Sequence, residues 1–359
     1  MKDKVNIILS ALLPLQYLLI RWISNYTEWI ETYYSQGFYL KIAKALQGLF
    51  GWLPFSIGDI FYFTIGIWFL YLLYKLIKEK RPNFLKNALR ITATLSIFYF
   101  LFNLFWALNY YRVPLYQKME IETSYSTEDL YNTTQKLLAN TNALHTDLAF
   151  ADSLVVSPHT KKNIRAIASQ GYERIPTYIL STNKIPSIAK NSLFSLTLSY
   201  MGYGGYFNPF TGEAQVNSKT PKALYAVTVA HEHAHQLGIA AENEANFIGV
   251  LASLKNHDKF IQYAGYSYAL RYCLNELGRR DKELYKEVYE GIHPGVLAMY
   301  KNHHEFWRKY DTVIERVSKE IWDKMLKANK QKDGISSYSY IVALLVNFDK
   351  AQPDFFSIH

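Results

Sequence analysis

Three long uncharged stretches crowd the first 111 residues, and they argue for membrane segments rather than one very large core. Ile91 to Tyr111 is twenty-one residues without a formal charge, long enough to cross a bilayer as a helix. Ile60 to Tyr74 is a second stretch, extended by the uncharged run Leu49 to Gly58 and interrupted only by Asp59. Val5 to Ile20 is a third, broken by Pro14 and ended by Arg21. No small-x-small cleavage pattern follows it, so it reads as a retained first span rather than a signal peptide. The expected transmembrane helices are about residues 5–22, 57–77 and 91–111, with the lipid bilayer as partner. Asp59 falls near the outer end of its segment and reads as a helix-start residue rather than an acid on an ion path.

Charge gives the expected orientation. The formal net charge is +9, yet residues 1–111 contribute +6 of it and residues 112–359 only +3. Lys75, Lys78, Lys80, Arg81, Lys86 and Arg90 face a single Glu79 between the second and third stretches. Under the positive-inside rule this loop and the amino terminus are cytoplasmic, so residues 112–359 lie on the extracytoplasmic side of a multi-pass inner-membrane protein. The folded half has no basic run, which argues against nucleic-acid binding. Residues 38–50 have the spacing of a short amphipathic helix. The one cysteine, Cys273, rules out an intramolecular disulfide and reads as a buried small residue.

From Arg112 the pattern is that of a water-soluble, mainly helical domain. Ser126-Thr127-Glu128-Asp129 reads as a capped helix start. Tyr203 to Asn217 carries Gly and Pro placed for a turn between two extended pieces. Thr220-Pro221 then opens a helix that runs into His231-Glu232-His233-Ala234-His235 and stops at Gly238. His231 and His235 are four residues apart on one face, which lets two imidazoles bind one zinc ion with Glu232 beside it as general base. His233 lies roughly 200° round the helix and points away.

Two schemes compete for the third metal ligand. The run His-Glu-His-Ala-His-Gln-Leu-Gly follows the metzincin pattern, but that scheme needs a histidine where this chain has Ala241. The alternative is a glutamate from the next helix, as in gluzincins, with Glu242 and Glu244 available. Glu244 shares a face with Phe247, Ile248 and Leu251, and a carboxylate on an apolar face needs a strong partner such as zinc. Helix phase therefore selects Glu244, and Glu242 reads as an exposed helix-start carboxylate.

The segment HEHAHQLGIAAENEANF resembles the arrangement of gluzincin peptidases. More closely, the chain is similar to an uncharacterised family of bacterial membrane proteins, on the strength of Pro209-Phe210-Thr211-Gly212-Glu213-Ala214, the histidine motif and Glu244-Ala245-Asn246-Phe247. Gly334 to Tyr338 also fits that likeness. The resemblance implies zinc and hydrolysis and supplies no substrate. A thermolysin-like pattern would place Asp four residues beyond the third ligand; counted from Glu244, that position is Ile248.

The fold class expected is N-terminal transmembrane α-helices followed by a mainly α (α+β) zincin-like domain, with a small β-hairpin or sheet next to the active-site helix. The expected activity is a zinc metallopeptidase acting on a peptide or protein, with Glu232 handling the proton of the attacking water. A zinc amidase acting on a cell-wall bond and a non-catalytic metal-binding receptor are the alternatives. The strand around Ala214–Asn217 is a candidate for pairing with an extended substrate. Tyr338, His303 and His304 are candidates for stabilising the oxyanion, with Tyr338 favoured.

Overall fold

Uncharged runs with few helix breakers fold as helices, and the computed structural model, which describes residues 2–78, 83–180, 188–329, 331, 334 and 340–357, is mainly helical with one small sheet. It divides into two units. The first takes residues 1–113 together with 208–213, and the second takes 114–207 and 214–359.

Among the described residues of the first unit, three helices are long and apolar enough to cross a membrane: Asp3–Ile23, Ile57–Lys75 and Phe84–Phe105. The third runs seven residues ahead of the uncharged run 91–111. Asn83 caps its start by accepting from the Lys86 backbone N–H at 3.0 Å. Lys86 and Arg90 then fall in its first two turns, where long cationic stems lie along the helix. The helix stops at Phe105, and Ala107–Tyr111 tightens into a 3-10 turn. Small polar side chains join this helix to the first one: Ser10 Oγ lies 2.7 Å from Thr92 Oγ1, and Gln16 Nε2 donates to Ser96 Oγ at 3.2 Å. The amphipathic stretch is a helix over Tyr39–Phe50, entered from a π-helical segment Ile30–Phe38. Asp59 is in the first turn of its helix, and its backbone N–H donates to Ser56 Oγ at 2.9 Å.

Two buried acids hold this unit together. Glu31 accepts from Arg112 Nε and Nη2, each at 2.8 Å, with both side chains under a tenth exposed. The fork pairs two groups that neither could leave uncompensated away from water. Glu213 accepts from the Gly58 N–H at 2.6 Å and the Ile57 N–H at 3.3 Å, supplying an acceptor at the start of the second apolar helix. Beside it, the Phe210 ring lies 5.1 Å from Phe61 and 5.7 Å from Phe98. The Pro-Phe-Thr-Gly-Glu turn is therefore a structural part of the first unit.

The second unit opens its long helices with Thr127–Leu148, where Ser126 and Asp129 form the reciprocal capping box expected from sequence. Three short strands follow: β1 (Ala189–Asn191), β2 (Gly205–Asn208) and β3 (Glu213–Val216). Their order is β1-β3-β2, with β1 parallel to β3 and β2 joined to β3 by the turn 209–212. The histidine helix, Lys222–Gln236, packs Tyr225, Val227 and Val229 against Phe260, Ile261 and Ala264 of the helix Lys259–Arg280. The glutamate helix, Glu242–Leu254, is buried along nearly its whole length. Cys273 is fully buried, and burial pushes its thiol pKa up, so it is a packing residue.

Removing one partner of the Glu31–Arg112 pair should strand a buried charge. Arg112→Ala is predicted to lower the unfolding free energy of the detergent-solubilised protein by about 3–5 kcal/mol. Glu31→Leu combined with Arg112→Met should recover most of that loss, as measured by thermal or denaturant unfolding.

Candidate metal centre

The site is built where the histidine and glutamate helices cross. Gly249 of the glutamate helix lies against the other helix's backbone, so that a Cβ there would come within 2.9 Å of the His231 nitrogen and 3.1 Å of its Cα. Only a residue without a side chain permits that approach. Glu242 is seven residues before Gly249, two turns along the same face, and is thereby carried to the histidines.

The turn after the histidine helix fixes one imidazole. Gly238 takes a left-handed φ of 82°, and the Ile239 N–H reaches back to the Ala234 carbonyl at 3.1 Å, closing the helix end. That turn aims the Ile239 carbonyl at His235 Nδ1, 2.7 Å away. With Nδ1 as the donor, Nε2 keeps its lone pair, which is the form a metal ligand needs.

Three acidic and basic groups meet at this crossing. His231 Nε2 lies 3.2 Å and His235 Nε2 3.6 Å from Glu242 Oε2, and the two imidazole rings stand nearly perpendicular at 4.6 Å. Glu232 also offers an oxygen within 4.8 Å of both imidazoles, so His231, Glu232 and His235 form a cluster that could hold a metal ion. Two carboxylates thus border the pair. Glu242 is the one with a single oxygen close to both Nε2 atoms. A tetrahedral ion with bonds of about 2.0–2.1 Å separates its ligand atoms by roughly 3.3 Å, so separations of 3.2 and 3.6 Å suit Glu242 as a third ligand beside His231 and His235. The Glu232 Oε2 atom is buried and has no hydrogen-bond partner, as is His231 Nδ1. A fully satisfied structural cluster would not leave those atoms bare.

Before a metal ion displaces their protons, the electrostatics are those of an ion pair between the two imidazoles and Glu242. Burial pushes the Glu232 carboxyl up to about 7, against the opposing pull of His231 and His235. Burial acts the same way on Glu242, but the two imidazoles outweigh it and hold that carboxyl well below its ordinary range. For His235, burial alone would lower the pKa; the Glu242 carboxylate overrides it and raises the group to about 9.

Glu244, the residue selected by helix phase, is not at the histidines. Its carboxylate accepts from the Leu115 backbone N–H at 2.7 Å, at the first turn of the short helix Leu115–Lys118. The phase argument failed because it assumed that one side of this helix faces water. Glu242 is 4% and Glu244 7% exposed, so both needed partners and apolar phase could not separate them. With Glu242 in the ligand position, the residue four further on is Asn246 instead of Ile248. Asn246 is buried, its Oδ1 accepts from the Tyr268 hydroxyl at 3.0 Å, and its Nδ2 has no partner.

The remaining candidates fall into place or drop away. His233 points from the cluster, with Nδ1 3.1 Å from Gln236 Oε1 and its ring edge-on to Tyr172; burial pushes it down to about 4. Tyr338 lies outside the described residues. His304 is exposed, whereas His303 is buried in the wall of a cavity described below. The strand around Ala214–Asn217 cannot take a substrate strand along its edge, because β3 is the centre of the sheet with β1 and β2 on either side. β2 is the outer strand among the described residues, and it runs close to Glu232: a Cβ on Gly205 would come 2.8 Å from Glu232 Oε1. Sequence gave no sign of Gly205 or Gly249, since glycines in contact across elements carry no local pattern.

Titrating full-length protein with a divalent metal should separate the two glutamates. Glu242→Ala is predicted to weaken binding by 100-fold or more. Glu244→Ala should leave affinity within a few-fold and instead lower stability by about 1–3 kcal/mol, since the Leu115 N–H loses its buried acceptor.

Among known proteins, no curated sequence and no solved structure matches this chain. A family with the description "Protein of unknown function (DUF3810)" matches residues 34–346, from the π-helical segment of the first unit to the last helix of the second. The chain belongs to that family.

Proposed function

We propose that this protein is a membrane-anchored zinc hydrolase of the gluzincin type, cutting peptide bonds, with His231, His235 and Glu242 as metal ligands and Glu232 as the proton-transfer residue. The observation that carries the reading is the buried, unpartnered Glu232 Oε2 beside two imidazoles whose Nε2 atoms share one Glu242 oxygen. A purely structural metal site has no use for a fourth polar group held bare at its margin.

Zinc held by His231, His235 and Glu242 would supply Lewis acidity for a substrate carbonyl and for water near neutral pH. The chain's own groups do the rest. Glu232, whose carboxyl burial pushes up, would take the water proton and return it to the leaving amine. The Ile239 carbonyl holds His235 in the tautomer that presents Nε2.

The three apolar helices would cross the inner membrane, and the lysine and arginine residues between the second and third would keep that loop cytoplasmic. The zincin-like half then works on the extracytoplasmic side, on substrates of that compartment.

Two variants test the chemistry in reconstituted, zinc-loaded protein assayed on unstructured protein substrates such as casein. Glu232→Gln should abolish turnover by at least 100-fold while zinc content stays at one per chain. Gly205→Ala should also lower turnover, because its methyl group would crowd the Gln215 carbonyl and Glu232 Oε1, with zinc still bound. Turnover that survives Glu232→Gln unchanged would rule out this mechanism.

A further inference from the structure

One small, partly open cavity lies about a turn from the metal centre along the histidine helix and is lined by residues that the proposed chemistry leaves unused. Leu224 and Val227 of the histidine helix form one wall, Tyr268 and Arg271 of the helix Lys259–Arg280 another, and Tyr300 and His303 of the helix Pro294–Arg308 the third. Helix geometry fixes how near it is. Val227 is one turn before His231 on the same face, about 5–6 Å along the axis. The Tyr268 hydroxyl bonds Asn246, which is one turn beyond Glu242. The histidine helix therefore lines this cavity with the turn before His231, and the glutamate helix meets it through the Asn246–Tyr268 bond.

Arg271 is the cavity's uncommitted group. Its guanidinium lies 5.6 Å from the ring centre of Tyr268 and 5.9 Å from that of Tyr272, so two aromatic faces hold it in place. Among the described residues no carboxylate and no hydrogen-bond acceptor is paired with it. The hydroxyls beside it are spoken for: Tyr300 donates to the Ser267 carbonyl at 2.7 Å, and Tyr268 donates to Asn246. Burial, and then Arg271 itself, push His303 down to about 4, so at neutral pH that imidazole adds no second charge. A fixed guanidinium with its five donors unspent, over apolar Leu224 and Val227, matches the planar two-oxygen face of a carboxylate.

We infer that this cavity is a carboxylate subsite, in which Arg271 holds an anionic group of the peptide being cut at the neighbouring metal centre. The inference rests on the peptidase reading above and names its substrate class: peptides that present a carboxylate close to the scissile bond. That carboxylate is either the free C-terminus or an acidic side chain.

Equilibrium binding separates these sources and does not depend on turnover. Full-length, zinc-loaded protein carrying Glu232→Gln is titrated with three N-acetylated alanine pentapeptides. One ends in a free carboxylate, one in an amide, and one in an amide with Glu replacing the fourth residue. At least one carboxylate peptide should bind about 10- to 100-fold tighter than the uncharged amide. Arg271→Gln should erase that preference, and Arg271→Lys should keep part of it with the fold intact. The carboxylate peptide that binds tighter identifies the source. Equal affinities for all three peptides, no measurable binding of either carboxylate peptide, or a preference that survives Arg271→Gln would overturn the subsite. Hydrolysis by the Glu232 protein is scored separately: its absence alongside an Arg271-dependent preference would remove the peptidase reading and leave the subsite standing.

Discussion

A carboxylate removed from water has to find a partner, and the second unit is organised around three that do so in different ways. Glu242 faces two imidazoles, Glu244 caps the first turn of a helix, and Glu232 keeps one oxygen bare. All three are under a tenth exposed and lie within thirteen residues of sequence on two crossing helices. The first two are satisfied by neighbouring groups. The third is held where a proton can be exchanged, with its affinity raised by burial to about 7.

Backbone features make that arrangement reachable. The close pass at Gly249 brings Glu242 across to the histidine helix, and the left-handed turn at Gly238 delivers the carbonyl that orients His235. Neither glycine touches the cluster with a side chain, yet both set its geometry. The same economy appears in the first unit, where Glu213 at the end of a hairpin turn serves as an acceptor for the start of an apolar helix. Glu31 and Arg112 there neutralise each other across a sequence gap of 81 residues.

Much of this was legible in the sequence, and the reasons differ by element. Long uncharged runs announced the apolar helices because their length has no other common explanation, although the third begins at Phe84, where the Asn83 cap outweighs the charges of Lys86 and Arg90. Ser126 and Asp129 announced a helix start because capping is local. The four-residue spacing placed His231 and His235 together and turned His233 away, since helix geometry alone decides both. The choice between Glu242 and Glu244 was not legible. Amphipathic phase ranks residues only when one face meets water, and Ala245–Leu254 is buried throughout. The central position of β3, the Gly249 contact and the Arg271 cavity depend on which elements become neighbours, and no local pattern records that.

The proposed chemistry requires that His231, His235 and Glu242 hold a single metal ion. The most direct test is a crystal of the full-length protein grown with zinc and measured on both sides of the zinc absorption edge. The predicted result is one anomalous peak about 2.0–2.2 Å from His231 Nε2, His235 Nε2 and a Glu242 carboxylate oxygen, with Glu244 still bonded to the Leu115 N–H. A peak bound by Glu244, or no peak at these histidines in zinc-saturated protein, would contradict it.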